Sequence, residues 1–235
     1  MDMLVGAQIA EAGLTEWRKL AQGLHARYVV ADFSTGARFA AAVGEAGDAL
    51  GHHPSVSIGD AYVDLKLVSA DAIYRDEEGT EHVVEWVTQR DVDLARRITE
   101  IAADHGIEAD PASVSMIELG LDTARSATIA PVWAALLTGN ADAQGHGSPS
   151  DEIRDSMGRV PNLWFGDPDE HEIAGQRFHV EVYVAPEVAE ERIAAAVSAG
   201  GTVVDDSDAP ALIVIADQDG NRGVLCVDTS AASKD

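Results

Sequence analysis

The stretch Asp48-Ala49-Leu50-Gly51-His52-His53-Pro54 lies where a helical pattern ends and a strand pattern is about to begin. Two adjacent histidines cannot share one face of a regular helix or strand, but at a helix exit both rings can lean over one cleft. Histidine titrates near neutral pH, so such a pair suits proton transfer. The structural alternative is that histidines at a helix end only complement its partial negative charge. These seven residues alone leave both interpretations open.

The residues before this stretch predict an amphipathic helix. Ser34 is the expected N-cap, and Gly51 is the expected glycine just after the C-terminus. The apolar residues between them recur at helical spacing, at Phe39, Val43, Ala46 and Leu50. The helix is therefore expected to end directly before the two histidines.

The flanking segments predict further strands and helices. After Pro54, Val63, Leu65 and Leu67 alternate with polar residues, which is typical of a half-buried strand. Thr88-Gln89-Arg90-Asp91 is a capping pattern at the start of a second helix. Upstream, Arg27–Phe33 indicates a first strand, and the apolar residues between 14 and 24 indicate a short amphipathic segment.

This order of elements resembles the pterin-4a-carbinolamine dehydratase family over about residues 10–106. The resemblance is carried by Trp17, strand 28–33, Asp48-x3-His52-His53-Pro54, strand 62–69, and Thr88-x2-Asp91-x2-Leu94-Ala95. It implies an α+β fold with helices on one face of an antiparallel sheet. It also implies dehydration of 4a-hydroxytetrahydropterin to quinonoid dihydropterin, with no metal and no other cofactor.

The same resemblance assigns roles to individual residues. His52, His53 and Asp48 would be catalytic, with the histidines acting as acid and base around the C4a hydroxyl and a ring nitrogen proton. Ser69, Arg90 and Asp91 would contact the substrate, a pterin-like small molecule. Members of the family also form dimers and tetramers, so a homodimer is expected.

The sequence departs from the family at Ala70, where the family has a third histidine. An alanine cannot transfer a proton, and loss of one general acid or base commonly lowers a rate by about 10²–10⁴-fold. His82 or Asp71, in the long polar segment that follows, could replace it. The sequence leaves open whether the chain is an active enzyme and predicts an impaired dehydratase.

Composition limits the remaining function classes. The chain has 235 residues with 16 Lys and Arg against 41 Asp and Glu, a formal net charge of −25, so its surface would repel nucleic acid. No apolar run approaches the length of a membrane span, and the N-terminus lacks the basic start of a signal peptide. One cysteine, Cys226, excludes an internal disulfide. These observations predict a cytoplasmic protein that binds neither nucleic acid nor membrane.

Beyond the second helix the chain repeats itself weakly. Ile117–Asp122 and Phe178–Tyr183 are alternating strands, each followed by a helical pattern and later strands. The helical pattern of the first repeat runs through Ile129 and Trp133, and residues 139–159, with His146, indicate a loop or lid. The expected organisation is a dehydratase-like domain at 1–106, a linker at 107–113, a second domain at 114–230 and a tail at 231–235.

This second half resembles the glyoxalase-like branch of the vicinal-oxygen-chelate superfamily, which implies a paired βαβββ module. The residues that carry the resemblance are Ile117–Thr123, Pro131-x-Trp133, Asn162–Phe165, Arg177–Val182, Ala199-Gly200-Gly201 and Ala216–Asn221. Metal-using members take one ligand from the first strand of each half, which would be Glu118 and His179, and one from the last strand.

The last-strand positions are Asn162 and Val224, neither of which is a carboxylate. The metal set is therefore incomplete. Glu118 and His179 are expected to be polar groups that face a ligand cavity, or satisfied hydrogen-bond partners, without a metal.

Two alternatives to the dehydratase function remain. The protein could be a non-catalytic small-molecule-binding protein that uses the glyoxalase-like domain. It could also act through protein contacts of its dehydratase-like helices, by analogy with coactivator members of the family.

Overall fold

The computed structural model describes residues 1–123, 130, 134, 153, 161–166, 178–216, 220 and 222–230. It divides the chain into two compact units. The first contains Met1–Val114 and two short later stretches, and the second contains Ser115–Val184 and Val188–Val227. Helices and mainly antiparallel sheets in the described residues confirm the expected α+β class.

The described residues of the first unit contain three α-helices and seven strands. Its helices are α1 (Gly6–Glu11), α2 (Phe33–Leu50) and α3 (Gln89–Asp104). Its strands are β1 (Arg18–Leu20), β2 (Gly23–Val29), β3 (Ser55–Ile58), β4 (Tyr62–Leu67), β5 (Ser69–Arg75), β6 (Glu81–Trp86) and β7 (Glu108–Ala109). The main sheet has the order β1-β2-β4-β3, with β7 also paired with β2, while β5 and β6 form a two-stranded sheet.

The core of this unit lies between the main sheet and helices α2 and α3. The predicted alternation in β4 is confirmed, since Val63, Leu65 and Leu67 are buried. Their cross-strand partners on β2 are Tyr28, Ala26 and Leu24. These six side chains belong to one apolar cluster with residues of both helices, among them Phe39, Val43, Leu94 and Ile98. The helices therefore cover one face of the sheet.

The helix ends follow the sequence signals with one correction. The prediction of Ser34 as N-cap is wrong: α2 begins at Phe33, and the Asp32 carboxylate accepts a 2.7 Å hydrogen bond from the Thr35 backbone N–H. Asp32 has the extended backbone of a cap, whereas Ser34 already lies in the first turn. Gly51 ends the helix at φ +63°, as predicted, and Thr88 forms the predicted capping box with Asp91.

Three other segments differ from their predictions. Strand β2 spans Gly23–Val29 rather than Arg27–Phe33, because Asp32 ends the extended segment by capping α2. The predicted amphipathic segment before it contains β1, which forms a hairpin with β2. Short apolar runs fit a helix or a strand equally well, so the sequence had predicted an amphipathic segment without specifying which of the two it forms. The polar segment after Ala70 forms the β5–β6 hairpin, whose turn is closed by Asp76 and Thr80.

The segment predicted as a linker is tied to the first unit. Within it, Glu108 and Ala109 form β7, which pairs with Val29 and Tyr28, and Pro111–Ser113 is a short 3₁₀ turn. In the described residues, no helix combines the length and the apolarity that crossing a membrane requires.

The second unit contains a six-stranded sheet and one described helix. Its elements are β8 (Ser115–Asp122), β9 (Leu163–Gly166), β10 (Phe178–Val184), α4 (Ala189–Ser198), β11 (Thr202–Asp205), β12 (Leu212–Ala216) and β13 (Arg222–Val227). The sheet order is β11-β12-β13-β10-β8-β9.

The strand directions fit the predicted two-half module. Strands β8 and β10 pair antiparallel at the centre, and each pairs in parallel with a later strand of its own half, β9 and β13 respectively. Ile129, Trp133, His146 and Arg177 lie outside the described residues. So do the predicted loop 139–159, apart from Ile153, and the turn 217–221, apart from Gly220.

The first unit also contains a half-buried histidine that the sequence did not single out. His25 lies on β2 opposite Lys66 on β4, and its Nε2 is buried without a hydrogen-bond partner. Burial, together with the charges of Lys66 and Lys19, lowers the pKa of His25 from 6.5 to about 3. The imidazole is therefore neutral at physiological pH.

We expect His25 to make the first unit sensitive to acid. Between pH 6.5 and about 3 the unfolded chain binds a proton that the folded chain does not, so stability falls as the pH falls. The slope for one proton is at most about 1.4 kcal/mol per pH unit. Denaturant unfolding across this range should show a smaller slope for His25→Gln than for the natural chain. The exposed His105→Gln is the control and should keep the natural slope, and an unchanged slope in His25→Gln would contradict the assignment.

Candidate functional site

The end of α2 positions the two adjacent histidines. The left-handed Gly51 turns the chain back, so that the His52 N–H donates to the Gly47 carbonyl over 3.1 Å. The His53 ring then lies against Gly47. A Cβ at Gly47 would be 2.6 Å from His53 Cδ2 and 2.9 Å from the His52 carbonyl oxygen, so this helical position must be glycine.

Asp91 connects one of these histidines to the start of α3. Its carboxylate is fully buried, and Oδ1 lies 2.7 Å from His52 Nε2. Oδ2 accepts hydrogen bonds from the Thr88 N–H at 2.7 Å, the Ser69 hydroxyl at 2.8 Å and the Thr88 hydroxyl at 3.0 Å. One carboxylate therefore joins the end of α2, the start of β5 and the first turn of α3.

The charge state of Asp91 determines the tautomer of His52. Burial by itself would raise the pKa of the Asp91 carboxyl, but hydrogen bonds from His52, the Thr88 backbone and Ser69 outweigh it and lower the pKa below its ordinary value. An ionised carboxylate can only accept, so His52 Nε2 must carry a hydrogen. The nitrogen of His52 that remains to take up a proton is Nδ1.

His53 has a more exposed carboxylate partner. Its Nε2 lies 2.9 Å from Asp48 Oδ1, and the side chains of His53 and Asp48 are 54% and 81% exposed. Solvent screens a pair of this kind much more than it screens His52 and Asp91. The two histidines therefore have the same type of partner in two different environments.

Strand β5 contains the departure from the family pattern. Ser69 is buried in the Asp91 network, but a bulge follows it, and Ala70 and Asp71 are both exposed. Asp71 forms an ion pair with Arg90 on α3, which lowers the pKa of the Asp71 carboxyl. Bulges commonly change the direction of side chains beside functional sites. This bulge brings Asp71 to Arg90, which directly precedes Asp91 in the sequence.

The two residues suggested as replacements for the third histidine each have another partner. His82 Nε2 lies 2.9 Å from Asp76 Oδ2, and its ring stacks on Tyr74 at 6.0 Å between centroids. Asp71 is held by Arg90. The described contacts therefore give neither side chain a bond to His52 or His53.

In the second unit, Glu118 and His179 lie on the same sheet face but are not cross-strand partners. Glu118 pairs with Glu181, and His179 pairs with Gly120, where a Cβ would come within 2.4 Å of the imidazole. Glu118 is 2% exposed and accepts a 3.3 Å hydrogen bond from the Asn162 amide.

Further polar residues that the sequence did not single out surround His179. Its Nε2 lies 3.6 Å from Glu181 Oε1, and its Nδ1 lies 3.8 Å from Asp122 Oδ2. The Trp164 indole and the Tyr183 hydroxyl both donate to Glu181 Oε2, at 3.2 Å and 3.1 Å. Burial and then the charge of Glu181 raise the pKa of Tyr183. Within the described residues, no three His, Cys, Asp or Glu side chains are grouped as a metal site requires.

Several residues of the two sites were not predicted from the sequence, and they differ in whether a sequence pattern could have indicated them. Gly47 carried a weak signal, since a glycine inside a helix lowers its stability and calls for a reason. Glu181 and Tyr183 follow His179 at every second position of β10. Because side chains two residues apart on a strand point to the same side, the sequence places all three on one face of the sheet. The Asp71–Arg90 ion pair depends on the bulge in β5, and no local sequence pattern predicts that bulge.

Comparison with known proteins finds two family matches along the chain. The family model "Pterin 4 alpha carbinolamine dehydratase" matches residues 3–101, and the model "Glyoxalase-like domain" matches residues 118–226. A protein of Koribacter versatilis (strain Ellin345), named as a pterin-4-alpha-carbinolamine dehydratase, is 32% identical over 94 residues, which are 40% of this chain and 87% of that protein.

Among solved structures, a transcriptional coactivator/pterin dehydratase from Brucella melitensis is 26% identical, with a TM-score of 0.35. The match covers 43% of this chain and 99% of that one. On the sequence matches, the chain belongs to the pterin-4a-carbinolamine dehydratase family through its N-terminal residues and carries a glyoxalase-like domain in its C-terminal half.

Proposed function

We propose that the N-terminal domain dehydrates 4a-hydroxytetrahydropterin to quinonoid dihydropterin, at a rate reduced by the alanine at position 70. The observation that carries the proposal is the 2.7 Å contact between His52 Nε2 and the buried, ionised Asp91. The reaction breaks the bond between C4a and its hydroxyl and removes a proton from a ring nitrogen, which releases water. It needs one acid and one base.

His52 is the better base. Asp91 holds Nε2–H, leaves Nδ1 to accept the proton, and stabilises the imidazolium that results. Because Asp91 is fully buried and only 11% of the His52 side chain is exposed, this electrostatic stabilisation is only weakly screened. Asp91 thus has two roles, since it also caps α3.

His53 is the better acid. Its Nε2 lies 2.9 Å from Asp48 Oδ1, and its exposure lets it exchange protons with water between turnovers. The proton goes to the C4a hydroxyl as that group leaves as water. Ser69 and Arg90, next to the Asp91 network, are proposed to contact the pterin.

We further propose a cytoplasmic protein with a dehydratase-like domain at 1–106, a linker at 107–113 that includes the short strand β7 of the first unit, a glyoxalase-like domain at 114–230 and a tail at 231–235. The two family matches, at 3–101 and 118–226, support these bounds.

A homodimer is also proposed, formed through the edge strand β3. This strand ends the main sheet, contains only Ser55, Val56, Ser57 and Ile58, and exposes 43% of Val56. An uncharged edge strand has free backbone groups that can pair with a second copy.

The second candidate function is non-catalytic binding of a small molecule by the glyoxalase-like domain. The supporting observation is the buried carboxylate of Glu118, on the same sheet face as His179 and Glu181. Polar groups that converge on one face can orient a ligand.

For the dehydratase, we expect His52→Ala and His53→Ala each to lower carbinolamine dehydration by about 10²-fold or more, as for loss of a general acid or base. His53→Ala should leave the thermal midpoint nearly unchanged because His53 is half exposed. The measurement is the rate above buffer for freshly generated 4a-hydroxytetrahydropterin. Equal rates for the natural chain, the variants and buffer would contradict the proposal.

A binding titration with a dihydropterin distinguishes the two candidate functions. Binding that His53→Ala weakens and Glu118→Gln leaves unchanged supports the N-terminal site. The reverse pattern supports the glyoxalase-like domain as the binding site.

Ala70→His is expected to raise the dehydration rate, by up to about 10²–10⁴-fold if the new imidazole reaches the cleft. Ala70 is exposed and directly follows Ser69, so the substitution removes no core packing. Val83→His, at a 66% exposed position of the same hairpin, is the control and should leave the rate unchanged. An Ala70→His protein no faster than the natural chain would show that position 70 does not limit the rate.

For the dimer, we expect the natural chain to sediment as a dimer in analytical ultracentrifugation. Val56→Lys should sediment as a monomer, because a lysine on an edge strand opposes strand pairing between two copies. Val83→Lys changes charge equally on another exposed strand and should remain dimeric. A natural chain that sediments as a monomer, or a Val56→Lys protein that stays dimeric, would rule out this interface.

A further inference from the structure

The second unit contains a cavity of about 580 Å³ between α4 and the sheet. Val180 and Val182 of β10, Ile215 of β12 and Leu225 of β13 line it from the sheet. In the strand register, Val180 and Val182 alternate with His179 and Glu181. The cavity therefore lies on the sheet face opposite the Glu118 and His179 side chains.

The sequence of α4 explains why the space exists. At the start of the helix, Ala189 and Ile193 pack with Val182 and Leu225 in a small apolar cluster. The same helix face continues to Ala196 and Ala199, which line the cavity with side chains too short to fill it. Val180 beneath them is 40% exposed. An apolar surface of this kind gains free energy when an apolar group covers it.

The charges at this cavity are opposite to those of the chain as a whole. Although acidic residues outnumber basic ones by 41 to 16, the only charged residues that line it, among those that the structure describes, are Arg192 and Arg222. Arg192 forms no ion pair in the described part of the chain. Guanidinium groups beside an apolar pocket complement a ligand with an apolar body and an anionic head.

We infer that this cavity binds an aliphatic carboxylate, with the alkyl chain between α4 and the sheet and the carboxylate at Arg192. Arg222 also lines the cavity, but it already has another interaction partner. Its volume lies within the range of about 300–1,000 Å³ that is usual for ligand pockets. The site is separate from the dehydratase cleft and from the polar sheet face, and it does not depend on the proposed function.

The test is calorimetric titration of the full chain with dodecanoate, below the concentration at which dodecanoate forms micelles. Dodecylamine and dodecanol serve as probes of the same chain length with a positive and a neutral head. We expect dodecanoate to bind, dodecanol to bind at least about tenfold more weakly and dodecylamine not to bind. No binding of dodecanoate, or equal binding of dodecylamine, would overturn the inference.

Variants of α4 locate the site. Ala196→Leu fills the cavity and should weaken dodecanoate binding about tenfold or more, whereas Arg192→Gln should weaken dodecanoate and leave dodecanol unchanged. Ala194→Leu makes the same change at an exposed position of α4 outside the cavity, so it should bind as the natural chain does. Circular dichroism checks the fold, and Ala199→Leu replaces Ala196→Leu if the latter does not fold. Unchanged dodecanoate affinity in the folded cavity-filling variant would overturn the inference.

Discussion

The N-terminal site depends on a single buried carboxylate. Asp91 receives hydrogen bonds from three separate parts of the chain: the histidine after α2, the serine that begins β5 and the threonine that caps α3. A buried charge is costly unless every lone pair finds a donor, and here the donors are numerous enough to keep the carboxyl ionised. The capping of α3 and the tautomer of His52 therefore depend on the same group.

Local sequence signals predicted much of this arrangement. The Gly51 helix end, the alternation of Val63, Leu65 and Leu67, and the Thr88–Asp91 capping pattern each depend on neighbouring residues, so they could be read from sequence. The hydrogen bond between Asp91 and His52 joins residues 39 positions apart. No periodicity or capping rule specifies such a contact, and only the family resemblance had grouped the two residues.

The errors also have physical causes. Ser34 and Asp32 are both good N-caps, and the choice between them depends on where the backbone leaves its extended conformation. The residues around β1 are too few to distinguish a strand from a helix, and pairing with β2 decided the outcome. In the second unit, the family resemblance had grouped Glu118 and His179, but the register that pairs Glu118 with Glu181 depends on contacts between distant strands.

Gly47 limits how this protein can be improved by engineering. Replacing a helical glycine with alanine usually stabilises a helix by about 1 kcal/mol, so a stability screen would nominate position 47 early. Here the added methyl group would occupy the space of the His53 ring and the His52 carbonyl. A ranking of positions by helix propensity alone would therefore propose a substitution that displaces both histidines, and position 47 should be kept as glycine in any stabilised version of the chain.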